Sequence, residues 1–401
     1  MLKPHGSLNW SIHSKGKGSG TVNVSAVGVP DGLHVAVLLA SGEPPFNGTV
    51  TVTASPSACG DYTFTVEASN GSVSDSETVF VHVSTFDFAP VISTVRVGAG
   101  RMAIFGFSVT SVAYPHPYNV SILPVDVPEG FTVIVSPGSG TPDFYGTVTV
   151  TVPASAFGDY YFTLAAYDGA VWDNETIRME ISSFNFTVEP LTVRVTAGRA
   201  ASLSFNVSSL AYPHSYTVNV SAAGIPGALS VSITPSSGTP DFTGSISVWA
   251  SSEAYGNYTV TFRASDGILT RTVIVEVQVS TFNIELEKDL IYIKSNSSGS
   301  VGFTVSSING YSGTVNVTVY GPTPPLSFNV SPPAGTPTYS GVINVSASLD
   351  AEGEFWVIVR ASDGVITKNV QLCIRVPYFK ISLEYSVIVL LMGQPLLQAS
   401  T

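Results

Sequence analysis

The chain has 401 residues, 44% of them hydrophobic and only 11% charged, with 16 Lys plus Arg against 28 Asp plus Glu and a formal net charge of −12. A nucleic-acid binder needs clustered cations to displace counterions from phosphates; the 16 are scattered, so nucleic acid is excluded as a partner, and an anionic membrane surface with it. Ser, Thr, Val and Gly dominate in short apolar and polar alternations bounded by Gly, Pro and Asp, which excludes a helical fold and indicates all-β.

In chain order, the opening stretch MLKPHGSLNWSIHSKGKGSG contains no apolar h-region of a secretory signal. Within it, SLNWSIHS at 7 to 14 matches SLSFNVSS at 202 to 209, but nothing before it resembles a preceding strand. A recurring stretch then begins at Gly42: GEPPFNGTVTVTASPSACGDYTFTVEASNG. It returns at Gly140 (GTPDFYGTVTVTVPASAFGDYYFTLAAYDG), Gly238 (GTPDFTGSISVWASSEAYGNYTVTFRASDG) and Gly335 (GTPTYSGVINVSASLDAEGEFWVIVRASDG), at offsets of 98, 98 and 97. That period is too long for a solenoid unit, so each copy is a small domain in a tandem array. The repeat places domains at 1 to 88 (lacking its first strand), 89 to 186, 187 to 284 and 285 to 381, with 382 to 401 as the first strand of an incomplete or donated fifth repeat.

The third repeat reads most cleanly. Its first strand is Leu191 to Val195, with Leu191, Val193 and Val195 inward; the second, Ser202 to Val207, buries Leu203, Phe205 and Val207; the third, Tyr216 to Ser221, buries Val218 and Val220. The fourth to seventh are Leu229 to Ile233, Ser245 to Trp249, Tyr258 to Arg263 and Thr272 to Val279. Seven short strands in one period describe an immunoglobulin-like β-sandwich, and four such sandwiches in tandem make a rod. The sixth and seventh strands join through Asn70-Gly71, Asp168-Gly169, Asp266-Gly267 and Asp363-Gly364, dipeptides that accept positive φ and close hairpins. No Asx-rich ligand run accompanies them, so no metal is expected.

The seventh strand ends near Ser84-Thr85-Phe86, Ser182-Ser183-Phe184 and Ser280-Thr281-Phe282, and the next repeat starts within a few residues. Short linkers carrying a bulky Phe dock neighbouring domains rather than let them swing. At the far end, LEYSVIVLLMGQ at 383 to 394 aligns with VEPLTVRVTAGR at 188 to 199, the start of a repeat. Two readings stand: the chain is a piece of a longer array, or this strand completes the first repeat of another molecule across an open sheet edge. The longest apolar run, Val387 to Met392, is far too short to span a bilayer, so no direct membrane insertion is expected.

No G-x-S-x-G, H-E-x-x-H, C-x-x-C or phosphate-cradling loop occurs, so no enzyme activity and no cofactor are expected. Cys59 and Cys373 fall in the first and fourth repeats, too far apart along the array for an internal disulfide.

The strongest functional signal is N-x-S/T, at Asn9, Asn23, Asn47, Asn70, Asn119, Asn174, Asn185, Asn206, Asn219, Asn257, Asn296, Asn316, Asn329 and Asn344. These are 14 of 17 asparagines, whereas 91 Ser plus Thr in 401 residues place about 4 by chance. Asn23, Asn219 and Asn316 share one outward position on the third strand, where a glycan fits. Extracellular or cell-surface N-glycosylation follows as an expectation. A second candidate is the loop Tyr114-Pro-His-Pro-Tyr118, repeated as Tyr212-Pro-His-Ser-Tyr216. In a sandwich it gathers with Thr141 to Phe144 and Asp168, or with Asp241, Phe242 and Asp266. Tyr114, His116, Tyr118, Tyr212, His214 and Tyr216 then form either a sugar-stacking loop or packing against the preceding domain. The first strand starts at the same end, which favours packing.

Pro226-Gly227, SVSITPSSGTPDFTGSISVWAS and GNYTVTFRASDG resemble the tandem immunoglobulin-like repeats of archaeal and bacterial cell-surface proteins of surface-layer or adhesin type. The resemblance covers roughly residues 20 to 381 and implies a structural or adhesive segment of a glycosylated surface protein, in a cell envelope, surface layer or filament. Its partners would be neighbouring envelope proteins or copies of itself, with glycans as a further class. Two alternatives accompany it: a carbohydrate-binding or spacer array of a larger secreted enzyme, and a filament subunit polymerising by C-terminal strand donation.

Overall fold

The computed structural model describes residues 5 to 12, as backbone, and 20 to 378, and every regular element among them is a β-strand. In the third unit the expected second, fourth, fifth and sixth strands lie within Ala200–Leu210, Leu229–Thr234, Phe242–Ala250 and Gly256–Ser265, and the third falls two residues later, at Val218–Ala223. Alternation builds the core: Leu203, Phe205, Val207, Val218, Val220, Ile246, Val248, Val260 and Phe262 are all buried between two facing sheets. One sheet runs fourth, fifth, second and then Ser183 to Glu189; the other runs third, sixth, seventh, with the two-residue strand Ser237–Gly238 on the edge of the third.

The first strand departs from the sequence reading. Leu191, expected inward, is 59% exposed. Thr192–Thr196 does not pair with the second strand; it lies parallel to the seventh, from Thr192 opposite Glu276 to Thr196 opposite Ser280. The second strand instead pairs with Ser183 to Glu189, the tail of an 18-residue strand, Trp172–Glu189. As far as Ile181, that same strand pairs with Gly158–Tyr167 of the preceding unit. Pro190 ends the run, because it has no N–H for the ladder, and the chain crosses there to the other sheet.

Thr270–Leu286 repeats this arrangement between the third and fourth units. Between the first and second, Ser84 alone separates Ser74–Val83 from Thr85–Pro90. The pairing therefore starts the units at Thr85, Ser183 and Thr281, four residues ahead of 89, 187 and 285. The expected short linkers are, at the two later junctions, no linkers at all: the third-sixth-seventh sheet of one unit continues, through that one long strand, as the second-fifth-fourth sheet of the next.

In the first unit His5–Ile12 pairs with Phe46–Ala54 as Ala200–Leu210 pairs with Phe242–Ala250, so Ser7 to Ile12 of the SLNWSIHS stretch lie in a second strand. No described strand occupies the edge that Thr85–Pro90 takes on Met102–Val112 in the second unit. The strand expected within 382 to 401 lies outside the described residues. Val50, Val52 and Phe64 form a small separate core here, whereas the other three cores merge into one cluster that includes Phe86, Phe184 and Phe282. Cys59 and Cys373 are free thiols in the first and fourth units.

Candidate functional site

The side chains with unusual chemistry gather where one unit meets the next. Between the second and third units, the loop after the second strand is drawn inward by its own backbone. The His214 N–H donates to Ser209 Oγ (3.1 Å), and the Ser209 N–H donates to Asp241 in the loop between the fourth and fifth strands. The His214 side chain has no exposed surface; Nε2 lies 3.2 Å from Asp266 Oδ2 and Nδ1 lies 3.4 Å from Ser182 Oγ. Its ring packs 5.3 Å from both Phe184 and Tyr216. The Nε2–Asp266 contact is off the N–H direction, so it is an electrostatic contact more than an aligned hydrogen bond.

Asp266 does two jobs with two oxygens. Oδ1 accepts the N–H groups of Ile268 (2.9 Å) and Leu269 (2.6 Å), closing the hairpin around Gly267, whose φ is +91°. Oδ2 faces His214 and accepts from Arg101 Nη2 (3.1 Å), which comes from the turn before the second strand of the preceding unit. The Arg101 guanidinium lies 3.6 Å over the Tyr216 ring. Gly100, at φ +73°, leaves the room that the tip of this hairpin needs: a Cβ there would stand 2.8 Å from Ile268 Cγ2. On the other side Tyr212 Oη donates to Asp159 Oδ1 (2.5 Å) and accepts from Arg178 Nη2 (3.1 Å).

Burial alone would raise the Asp266 pKa; the Leu269 and Ile268 N–H groups and Arg101 outweigh it and hold the carboxyl below its ordinary range. Burial pushes His214 below its ordinary value, and Asp266 opposes this only in part. At neutral pH the cluster is a neutral imidazole beside a carboxylate neutralised by arginine.

The other junctions repeat the plan with substitutions. Between the first and second units His116 Nε2 lies 3.2 Å from Asp168 Oδ2 and Nδ1 lies 3.4 Å from Ser84 Oγ, with Phe86 and Tyr118 against its ring. Tyr114 Oη donates to Asp61, which also meets His82 Nδ1 at 2.6 Å. Between the third and fourth, Tyr311 takes the histidine's place: its Oη donates to Asp363 Oδ2 (2.7 Å) and its ring packs 5.2 Å from Phe282. Asn309 stands for Tyr212, reaching Asn257 Oδ1 at 3.4 Å. A Cβ on Gly198 would stand 2.7 Å from Val365 Cγ1, and Lys368 Nζ bonds Glu253 across the junction at 2.5 Å. Burial first, and Asp363 second, push the Tyr311 phenol well above its ordinary value.

The structure thus brings the two loops beside Asp168 or Asp266 but, through Tyr114, His116, Tyr212, His214 and Tyr216, in contact with the preceding unit. His116 and His214 are buried, and the four tyrosines are half-buried. Of the sequon asparagines, Asn257 stands at a junction, against Asn309; all 13 with described side chains are exposed, while the Asn9 side chain lies outside the described residues. Asn23, Asn219 and Asn316 face Ser69, Ser265 and Ser362 at one equivalent row. Sequence reasoning missed Arg101, Asp159 and Tyr311, and Arg199, whose Nη2 lies 3.9 Å from Asp363 Oδ2 where Arg101 meets Asp266. The signal was the period itself: Arg101 and Arg199, like Gly100 and Gly198, recur at the repeat offset.

Strand order, facing sheets and a first strand divided between them define tandem immunoglobulin-like β-sandwiches. No family model matches the chain, and no curated protein matches it. Among solved structures it is similar to an I-band fragment of titin, at 14% identity and TM-score 0.31 over 74% of this chain and 99% of that one. It is also similar to domains 4 to 9 of surface layer protein SbsC, at 15% identity and TM-score 0.24 over 92% of this chain and 60% of that one. A third similarity is to an endo-fucoidan hydrolase of glycoside hydrolase family 107, at 14% identity and TM-score 0.23 over 71% and 43%. The class rests on the strand pairing described above, not on these similarities.

Proposed function

We propose that the chain is a structural segment of an extracellular, N-glycosylated surface protein, a stiff array that sets distance between what lies at its two ends. The carrying observation is that neighbouring units share a strand, Trp172–Glu189 and Thr270–Leu286, and bury loop side chains against each other on the same side. A hinge has few contacts and a solvated linker; these junctions have neither. The exposed sequons support the extracellular part, since a glycan needs an outward asparagine. The test is mass spectrometry of surface-labelled source cells together with small-angle scattering of the purified chain. Labelled peptides carrying occupied sequons and an extended profile are expected. A chain protected from label, with bare sequons, would refute the proposal.

Sugar binding by the aromatic loops is the weaker reading, because those loops are covered by the preceding unit; glycan-array binding lost on Tyr212→Ala and Tyr216→Ala would restore it. One observation favours polymerisation as a second reading: among the described residues, no strand pairs with the outer edge of His5–Ile12. Linear polymers that disappear on deletion of 383 to 401 would support it, and a monodisperse intact monomer would end it.

A further inference from the structure

We propose that the second unit carries a stacking platform, Trp172 backed by Tyr167, on which the first sugar of a glycan attached to Asn174 lies. This rests on the reading that the sequons are glycosylated and names a contact for one of them.

The platform is peculiar to this unit. Tyr167 faces Trp172 across the sixth and seventh strands, with ring centroids 4.1 Å apart and planes within 16°. At the same row the other units place Ser69 and Ser74, Ser265 and Thr270, Ser362 and Thr367. Those three rows continue onto the sequon residues Asn23, Asn219 and Asn316, whereas the second unit's row continues onto Ser121. Where the neighbours have a glycan position flanked by small side chains, the second unit has two stacked rings and no sequon.

The sequon close to the rings is Asn174. Trp172, Asn174 and Thr176 are exposed on one face of the strand, while Asp173 turns inward, its Oδ2 accepting the Phe88 N–H at 2.9 Å. Alternation puts Asn174 on the same face as Trp172, about 7 Å along the strand. Opposite Asn174 sits Ala165, 4% exposed, and beyond it Leu123, 51% exposed, so the floor beside the rings is low and apolar. Pyranose rings present an axial C–H face that packs on a flat π-system, and a sugar anchored at Asn174 reaches Trp172 without paying a separate association entropy. The backing by Tyr167 fixes the indole's orientation, and Trp172, at 54% exposure, keeps its outer surface open. A cross-strand aromatic pair can also serve only to stabilise the sheet. The two roles differ in whether the contribution of Trp172 depends on the glycan.

The experiment takes the full chain from its source cells, maps occupancy by glycopeptide mass spectrometry, and compares Trp172→Ala, Thr176→Val and the double variant. Thr176→Val removes the acceptor sequon and keeps a β-branched side chain. Hydrogen-exchange protection of 158 to 181 is the readout. With glycan present, Trp172→Ala is expected to cost about three- to tenfold more protection than in the Thr176→Val background. Equal losses in both backgrounds overturn the platform. A bare Asn174 beside occupied sequons overturns it too and leaves the proposed function standing; bare sequons throughout overturn both.

Discussion

Replacing Asp266 by Ala tests the central claim about the junctions. The side chain is fully buried and holds the N–H groups of Ile268 and Leu269 through one oxygen and Arg101 through the other. A buried donor left without its acceptor costs about 1 kcal/mol at the low end, and a charge-assisted bond about 2 kcal/mol, giving a total near 4 kcal/mol. That is close to a thousandfold in an opening equilibrium. Asp168 is the internal control: it holds Ala170 and Val171 in the same way and faces His116, but among the described residues no arginine reaches it. Asp168→Ala should then cost only about 2 kcal/mol, roughly thirtyfold. Hydrogen exchange on the full chain, read for 256 to 286 in the first variant and 158 to 189 in the second, measures both. Equal losses, or an unchanged hairpin in Asp266→Ala, would refute the assignment of Arg101 as a clamp between units.

Three further outcomes follow from the same geometry. His214 has a lowered pKa in the folded chain, so the unfolded chain takes up its proton first as pH falls through about 6.5, and stability present at pH 7 is lost on acidification. Thermal melts should drop between pH 7 and pH 5, and His214→Gln should flatten that drop; Tyr311→Phe, at the junction without histidine, should not. Gly198→Val combines a φ of +70° with a Cβ 2.7 Å from Val365, so proteolysis around 270 to 290 should accelerate, while Gly227→Ala, which has no heavy atom within 4 Å, should leave it unchanged. Phe184→Ala empties a fully buried site in the shared strand and should cost about 3 to 5 kcal/mol, lowering exchange protection in the second and third units together. Loss confined to one unit would contradict the shared strand.

The interior was legible because burial in a sandwich follows period two: Leu203, Phe205 and Val207 announce themselves in six residues. The first strand was not, because Leu191, Val193 and Val195 alternate just as Phe184, Phe186 and Val188 do, and the pattern does not say which sheet a strand joins. Only Val193 and Val195 of the first set are buried, and Pro190 is the residue that separates the two segments. The junction chemistry was half legible. His116 and His214 stood out as a repeated motif, but Arg101, which reaches Asp266 and Tyr216, and Asp159, which accepts from Tyr212, lie 113 and 55 residues from His214, a separation that no local pattern carries. Tyr311 was hidden because it keeps the contact with the hairpin carboxylate while changing residue type.

The strand shared between units also decides how the chain bears tension. A pull along the array enters the third unit through Ser183 to Glu189 and leaves through the end of Thr270–Leu286. Between those points Thr192–Thr196 lies parallel to Glu276 to Ser280. Opposed forces on parallel strands slide one past the other, so their hydrogen bonds are loaded side by side and must fail together. An antiparallel hairpin pulled at its open end would instead unzip one bond at a time. The crossing at Pro190, which costs the unit a continuous first strand, places this shear-loaded pair in the line of force.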